Sequence, residues 1–153
     1  MSDRGDGAAG YVAPMPLPSR NAPCPCHSGR KAKACCEPLL AGAPAPTPEA
    51  LMRSRYAAYA CGHVAHLQRT TAPHSPHRRP DAAAWREELL AFCEGTGFDG
   101  LEVRAASEDG DRGEVTFFAT LSRGGADLSF GERSRFLRLG GRWLYVDGDP
   151  VGR

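Results

Sequence analysis

The sequence predicts an α+β domain in which helices pack on a curved antiparallel sheet. Apolar residues follow a helical period in the first half of the chain and alternate with polar residues after Phe98. Gly140-Gly141 lies between two alternating segments and is a two-residue hairpin signal. Because helices come first and about four strands follow, we expect an antiparallel meander with the helices on one face.

Length and composition are those of one compact domain with a small appendage. The chain has 153 residues, of which 41% are hydrophobic and 24% charged, close to globular averages. A formal net charge of +1 argues against a whole-chain nucleic-acid binder, which would carry a strong basic excess. No stretch approaches the roughly 18 apolar residues of a membrane span, and residues 1–6 are unlike a secretory signal. We therefore expect a cytoplasmic protein with reduced thiols.

The chain divides into four predicted segments. Residues 1–20 combine Gly, Ala, Pro and polar residues and are predicted to be a disordered tail. Residues 21–38 contain a cysteine cluster. Residues 39–47 are a Pro/Ala-rich linker. Residues 48–149 form the main α+β domain.

Four of the six cysteines fall within thirteen residues, as two close pairs around an eight-residue basic turn. This is the layout of a tetrahedral four-cysteine metal site, with ligands Cys24, Cys26, Cys35 and Cys36. We favour structural Zn²⁺ over disulfides, a redox-active pair or an iron–sulfur cluster, because cytoplasmic thiols stay reduced. Four thiolates leave no open coordination position, so the metal is not expected to activate water. His27 is a competing ligand, but four cysteines already complete the shell.

The basic turn carries Arg30, Lys31 and Lys33. Ser28 is a candidate cap for a short helix over about 29–36, whose dipole would disfavour cations in its first turn. Two interpretations of the charge stay open. Either the cations offset the negative charge of zinc held by four thiolates, or they form an ordinary solvated face.

Two amphipathic helices are predicted in the main domain. The first begins at Thr47-Pro48, a cap followed by proline at the first helical position, and ends near Gly62. Its core-facing stripe consists of Met52, Tyr56 and Tyr59. The second begins near Asp81 and ends near Gly95, with a stripe of Trp85, Leu89 and Phe92.

Histidines are concentrated between these helices, in residues 63–77. A second metal site is conceivable there, but no carboxylate or cysteine joins His63, His66, His74 and His77 at suitable spacing. Solvated histidines are therefore favoured. Cys61 and Cys93 lie in apolar helical contexts and are expected to be buried free thiols. Strands are predicted over 101–105, 115–121, 133–139 and 142–147.

Two parts of the chain resemble known sequences. Cys24-Pro25-Cys26-His27-Ser28-Gly29, followed by basic residues and Cys35-Cys36, resembles the SEC-C zinc motif, found at the C-terminus of the preprotein translocase motor SecA and elsewhere. The later segments MRSRYAAY (52–59), ERSRF (132–136) and GRWLYVDG (141–148) resemble the bacterial YchJ-type family. That family couples an N-terminal SEC-C motif to a domain of the nuclear transport factor 2-like fold.

The resemblance implies a zinc knuckle over residues 21–38, with Cys24, Cys26, Cys35 and Cys36 as ligands, and a cone-shaped α+β domain. It implies no reaction, since the family is uncharacterised, and the chaperone partner of the SecA motif carries over only by analogy. The chain also departs from the pattern. His27 stands where the motif usually has Gly, and Ala32 where an aromatic residue is common. Thr71-Ala72 replaces an expected Trp-His pair, so a pocket served by that pair is altered here.

Two functions of different classes follow from these observations. The first is an interaction module whose zinc knuckle contacts an acidic protein surface or a nucleic acid through Arg30, Lys31 and Lys33. The second is a small-ligand binder or enzyme that uses the pocket of the cone. Its candidate polar residues are Arg55, Tyr56, Glu132, Arg133, Arg135 and Asp147. The sequence contains no nucleophile–base arrangement or phosphate-cradling glycine loop, so binding is favoured over catalysis and no catalytic residue is assigned.

Overall fold

The computed structural model describes residues 15–153, and residues 1–14 of the predicted tail lie outside the described residues. The helices are α1 (Glu37–Leu40), α2 (Pro48–Cys61), α3 (Val64–Arg69) and α4 (Ala82–Gly95), with a 3₁₀ turn at Ala32–Ala34. The strands are β1 (Gly97–Asp109), β2 (Arg112–Arg123), β3 (Ala126–Asp127), β4 (Phe130–Leu139) and β5 (Arg142–Val151). No helix in residues 15–153 is long and apolar enough to cross a membrane.

The sheet is an antiparallel meander that confirms the predicted α+β class. Its strand order is β1-β2-β4-β5, and the two-residue strand β3 pairs with the end of β2. The turn between β4 and β5 is the predicted hairpin: Gly140 and Gly141 both have positive φ, 58° and 78°, as a type I′ turn requires. Val146 is an extra residue in β5, because Arg135 pairs with Asp147 whereas Phe136 pairs with Tyr145. This bulge changes which face of the sheet the end of β5 presents.

Helix α2 forms where the sequence predicts it. The Thr47 hydroxyl accepts a hydrogen bond from the backbone N–H of Ala50 at 3.0 Å, and Pro48 is the first helical residue. Met52 and Tyr56 are buried and Tyr59 is half-buried, which confirms the core-facing stripe. The helix therefore presents one apolar face to the concave side of the sheet.

Helix α4 packs beside α2 through aromatic side chains. Asp81 caps it by accepting hydrogen bonds from two backbone N–H groups, and Trp85 is buried near its start. The rings of Tyr59 and Phe92 meet edge to face with centroids 5.7 Å apart, and Phe98 of β1 contacts both. These contacts close the cone on the side away from β5.

The predicted linker and the described end of the predicted tail both contact the domain. In the predicted linker 39–47, the first two residues end α1 and are buried, with Leu40 only 1% exposed. Arg69 of α3 donates hydrogen bonds to the carbonyl oxygens of Leu39 and Leu40. In the predicted tail, the Pro16 carbonyl accepts a hydrogen bond from His63 at 2.8 Å. The proline and alanine composition of these segments does not reveal such contacts, because backbone carbonyl groups make most of them.

The expectation of solvated histidines is wrong for His63 and His66, which are buried, and describes only His74 and His77, which are exposed. The Nε2 of His66 lies 2.8 Å from the Ser54 hydroxyl, and its Nδ1 accepts a hydrogen bond from Arg69 at 3.0 Å. Burial, with the adjacent Arg69 charge, lowers the pKa of His66 to about 3. The neutral imidazole is therefore a structural part of the α2–α3 contact.

Neutral His66 makes stability depend on pH in a defined direction. Its folded-state pKa lies below the ordinary value of about 6.5, so its contribution is complete above pH 6.5 and is lost as the pH falls toward 3. Between pH 7.5 and 5.5 we expect about 1.4 kcal/mol of unfolding free energy to be lost through this group. Urea unfolding of wild type and H66Q at both pH values measures this difference. Equal losses in the two proteins would contradict the assignment.

Candidate metal centre and interior cavity

The four predicted ligand cysteines come together at one point. Their Sγ atoms all lie within 4.8 Å of one another. The Sγ of Cys35 is 3.5 Å from that of Cys26 and 3.8 Å from that of Cys36. A tetrahedral thiolate site with metal–sulfur bonds of ~2.3 Å places its sulfurs ~3.8 Å apart. The cluster therefore has the donor type, number and spacing to hold a metal ion.

The cluster is built by a tight reversal of the chain rather than by a helix. The backbone N–H of Cys24 donates to the Arg30 carbonyl at 2.8 Å, and Pro23 pairs with Lys31 as an antiparallel bridge. The helix predicted over 29–36 is wrong: only the 3₁₀ turn Ala32–Ala34 forms, and Ser28 does not cap it. The bridge holds the chain extended up to Lys31, so no helix can begin earlier.

Electrostatics within the cluster favour binding of a cation. The hydrogen bond between Cys24 and Cys26 lowers the pKa of Cys26 and raises the pKa of Cys24 to about 11. The pKa of Cys36 is also raised, chiefly by its hydrogen bond to Cys24. One thiolate thus opposes the ionisation of its neighbours, and a divalent cation would remove that conflict by accepting charge from all four sulfurs.

Helix α2 supplies the contacts that join the cysteine segment to the domain. Nη1 of Arg53 donates to the Cys26 carbonyl at 3.3 Å and lies 4.0 Å from the Cys26 Sγ, while its Nε donates to Glu49 at 3.0 Å. The sulfur cluster thus has a cation beside it that comes from α2 and not from the basic turn. Three of the cysteines are at most 3% exposed, so packing against the domain also excludes solvent from the cluster.

His27 faces away from the sulfur cluster and toward the domain. Its Nε2 is 3.1 Å from the Phe98 carbonyl oxygen, and its ring meets the edge of Tyr56. Its backbone has a φ of 62°, the left-handed conformation that favours glycine. This conformation explains why glycine is common at this position, and the two contacts offset its cost in this chain.

The cations of the basic turn make no ion pair with the part of the chain that the structure describes. Arg30, Lys31 and Lys33 are exposed, and within residues 15–153 none of them has a carboxylate oxygen within 4.0 Å. The guanidinium of Arg30 donates instead to the Ala34 carbonyl. The three charges therefore point to solvent from a short loop anchored by the cluster.

A cavity of about 350 Å³ lies inside the cone, between the helices and the concave face of the sheet. Its apolar walls come from both layers and include Tyr59, Trp85, Phe92, Phe98, Phe117 and Phe136. His77, Arg79 and Glu88 line its outer part, where Arg79 and Glu88 form an exposed ion pair at 3.5 Å. Size and lining are those of a small-molecule site.

Arg55 is the cation of the inner part of this cavity. Its Nη1 donates to the Leu67 carbonyl at 3.0 Å and to the hydroxyls of Thr70 at 2.8 Å and Thr71 at 3.3 Å. Its guanidinium stands over the Tyr145 ring, 4.7 Å from the centroid. Burial lowers the pKa of Arg55. Thr71, where the resemblance leads us to expect tryptophan, is thus one of its hydrogen-bond partners.

Glu132 is an acidic group that lines the same cavity as Arg55. One of its oxygens, Oε2, accepts hydrogen bonds from the Tyr145 hydroxyl at 2.9 Å and the Ser134 hydroxyl at 2.6 Å. A Cβ at position 148 would lie 2.4 Å from this oxygen, so any larger residue there would displace the carboxylate. Burial, with Glu132 nearby, raises the pKa of Tyr145, which therefore stays a hydrogen-bond donor.

The structure divides the predicted pocket residues into two groups. Arg55, Tyr56 and Glu132 line the cavity, and Tyr56 donates to the Gly100 carbonyl at 3.0 Å. Arg133, Arg135 and Asp147 do not line it. They form ion pairs with one another and with Asp149, such as the 2.7 Å contact between Arg135 and Asp147.

Strand alternation explains this division. Glu132, Ser134 and Phe136 face the cavity, whereas Arg133 and Arg135 between them face the opposite side. The bulge at Val146 brings Asp147 to that opposite side although Tyr145 faces inward. Sequence reasoning missed Ser134 and Tyr145, and the alternation that starts at Glu132 was a signal for Ser134.

Comparison with known proteins agrees with both parts of the structure. The family model of the YchJ middle NTF2-like domain matches residues 47–148, and that of the SEC-C motif matches residues 20–38. A UPF0225 protein of Deinococcus radiodurans is 42% identical over 127 residues, which cover 82% of this chain and 87% of that protein.

Two solved structures are similar to this one. A SEC-C motif containing protein from Rhodopseudomonas palustris is 39% identical, with a TM-score of 0.72 over 86% of this chain and 100% of that one. A sec-c motif containing protein from Psychrobacter arcticus, at 22% identity and a TM-score of 0.68, covers 85% of this chain and 83% of its own and shares the fold.

Two substitutions of His27 separate its contacts from its backbone conformation. Both H27A and H27G lose the contacts to Phe98 and Tyr56, but only alanine keeps the strain of a positive φ. We expect H27A to be less stable than H27G by roughly 1 kcal/mol. Urea unfolding in zinc-containing buffer measures this, and equal stability of the two variants would contradict the strained conformation.

Proposed function

The chain belongs to the YchJ-type family of UPF0225 proteins, and from that premise we propose that it is a zinc-binding protein whose knuckle acts as an interaction module. The observation that carries the proposal is the convergence of four sulfurs within 4.8 Å beside α2, with three exposed cations on the loop between them.

Zinc fits the donor set better than other common metals. Thiolates are soft ligands that select zinc, copper(I) or iron–sulfur clusters, and a single tetrahedral set of four is the usual structural zinc shell. Cys24, Cys26, Cys35 and Cys36 are its proposed ligands, in a cytoplasm that keeps them reduced. The shell would be closed, so the metal's role is structural.

The proposed zinc stabilises a segment that cannot fold by burial alone. Residues 20–36 contain one three-residue 3₁₀ turn and one isolated bridge, and their buried side chains are mainly the cysteines and Ala32. Metal binding supplies the missing folding free energy. Arg53, 4.0 Å from the Cys26 Sγ, offsets part of the negative charge of a four-thiolate zinc complex.

The proposed partner surface is the basic loop. Because Arg53 already lies beside the cluster, Arg30, Lys31 and Lys33 remain exposed and without ion pairs in residues 15–153. Three cations on a rigid loop lose little conformational entropy when they contact an acidic protein surface or a phosphate backbone.

The zinc proposal predicts one zinc per chain in the purified protein. We expect C26S and C36S to lose the metal, to have a lower Tm, and to become sensitive to proteases within residues 21–36, since the metal holds that segment. Elemental analysis and limited proteolysis measure these effects. C93S is the control, because Cys93 is a buried cysteine outside the cluster. Iron, or a disulfide within 24–36, in the wild type would refute the zinc site.

The interaction proposal predicts a selective effect of charge. The triple variant R30A/K31A/K33A should keep its zinc and Tm but lose captured partners from a lysate of the source cell. The matched triple R86A/R112A/R153A removes the same charge from exposed arginines elsewhere and should keep them. Quantitative mass spectrometry measures which captured proteins are lost. Nuclease treatment of the lysate distinguishes partners that bind directly from those held through nucleic acid. Equal capture by both triples would refute the role of the basic loop.

A second candidate function is the binding of a small ligand inside the cone. The observation that favours it is the cavity of about 350 Å³, which joins aromatic walls to the half-buried Arg55 and Glu132. Such a concave site with few convergent polar groups is typical of ligand pockets.

A further inference from the structure

We propose that the cavity binds a small monoanionic carboxylate with an apolar body, and that the guanidinium of Arg55 holds its carboxylate. This inference rests on the second candidate function and names the ligand class of that site. Three observations support it: the hydrogen-bond pattern of Arg55, the charge balance of the cavity, and the nature of its walls.

The first observation is that Arg55 uses only one of its three nitrogens in contacts with the described protein. Nη1 makes bonds to Leu67, Thr70 and Thr71, and these anchor the guanidinium. Within residues 15–153, Nε and Nη2 have no hydrogen-bond acceptor, although the side chain is half-buried and lines the cavity. Nε and Nη2 share one edge of the guanidinium, and their parallel N–H groups match the two oxygens of a carboxylate.

The second observation is the charge balance. In the described chain, no carboxylate oxygen lies within 4.0 Å of Arg55. The partners of Nη1 are a carbonyl and hydroxyls, which stabilise a cation without neutralising it. Glu132 lies in the same cavity and has its Oε2 bonded to Tyr145 and Ser134. Arg79 and Glu88 offset each other at the outer part of the cavity. Near the guanidinium this leaves one cation and one carboxylate, so a single negative charge is favoured over a dianion such as a phosphate monoester.

The third observation concerns the walls. Aromatic rings from α2, α4 and the sheet enclose most of the cavity. Among them, the ring centroids of Phe92 and Phe98 lie 6.1 Å apart. These walls favour an apolar ligand body, because burial of apolar surface is the main source of affinity in such sites. The charged end of the site lies at Arg55, whose guanidinium donates to the Thr71 hydroxyl and stands over the Tyr145 ring. The ligand class is therefore an aryl or branched alkyl monocarboxylate.

The test compares two probes of the same shape and different charge. We use 2-naphthylacetate and its neutral amide, 2-naphthylacetamide, titrated into the zinc-loaded full-length protein by calorimetry at pH 7.5. Wild type should bind the carboxylate at least about tenfold more tightly than the amide, as expected for a charge-assisted bidentate contact. R55M should lose about tenfold in carboxylate affinity and keep its affinity for the amide within about twofold.

Two further variants keep the proposal falsifiable. R55K retains the charge but lacks the two parallel N–H groups of the guanidinium, so it should bind the carboxylate with an affinity between those of wild type and R55M. R133M removes an exposed arginine outside the cavity and should keep the wild-type preference. If wild type binds both probes equally, or R55M keeps the preference, the carboxylate inference is overturned while ligand binding in the cone stands. If neither probe binds at millimolar concentration, the ligand-binding function falls as well.

Discussion

The contact between Arg53 and Cys26 is the interaction on which the arrangement of both candidate sites depends. Through the carbonyl and the sulfur of Cys26, it joins a segment with almost no regular structure to α2. Two positions along the same helix, Arg55 enters the cavity. Residues two apart on a helix point about 200° from each other. One helix thus carries the cysteine cluster on one face and the cavity on the other.

The two arginines of α2 illustrate how surroundings decide what a cation does. Arg53 is paired with Glu49 in the preceding turn, and this ion pair compensates for the desolvation of Arg53 at the junction with the cysteine cluster. Arg55 has the same side chain but is surrounded by a carbonyl, two hydroxyls and an aromatic face. Its charge is held in place without being neutralised. A position of that kind favours binding of an anion, whereas the position of Arg53 favours structure.

Hydrogen bonds of polar residues in the interior join the helices to one another and to the sheet. His66 joins Ser54 of α2 to Arg69 of α3, and Arg69 in turn holds α1 through its carbonyls. Thr71 pairs with Tyr145 of β5 as a parallel bridge, which ties the end of α3 to the sheet edge. Buried polar networks of this type specify one packing arrangement, because each unmade hydrogen bond would be costly. They also fix the position of Arg55 over Tyr145.

The sequence by itself determined the class of fold, the main secondary structure and the composition of the cysteine cluster. Thr47, Pro48 and Asp81 act locally on the helix starts, and the alternation in β2 and β4 depends only on neighbours along the chain. The proximity of Cys24 to Cys36 could be predicted for the same reason, because a short reversal separates the pairs.

Tertiary structure alone decided which polar residues share the cavity and which surfaces are free. The bulge at Val146 placed Asp147 outside and Tyr145 inside, and His63, His66 and Leu40 are buried where they meet segments that are distant in the sequence. Those contacts join residues separated by up to 47 positions, so no local pattern encodes them. The convergence of the four cysteines is local and could therefore be predicted from their spacing. The environment of Arg55 is assembled from α2, α3 and β5 and forms only when they pack.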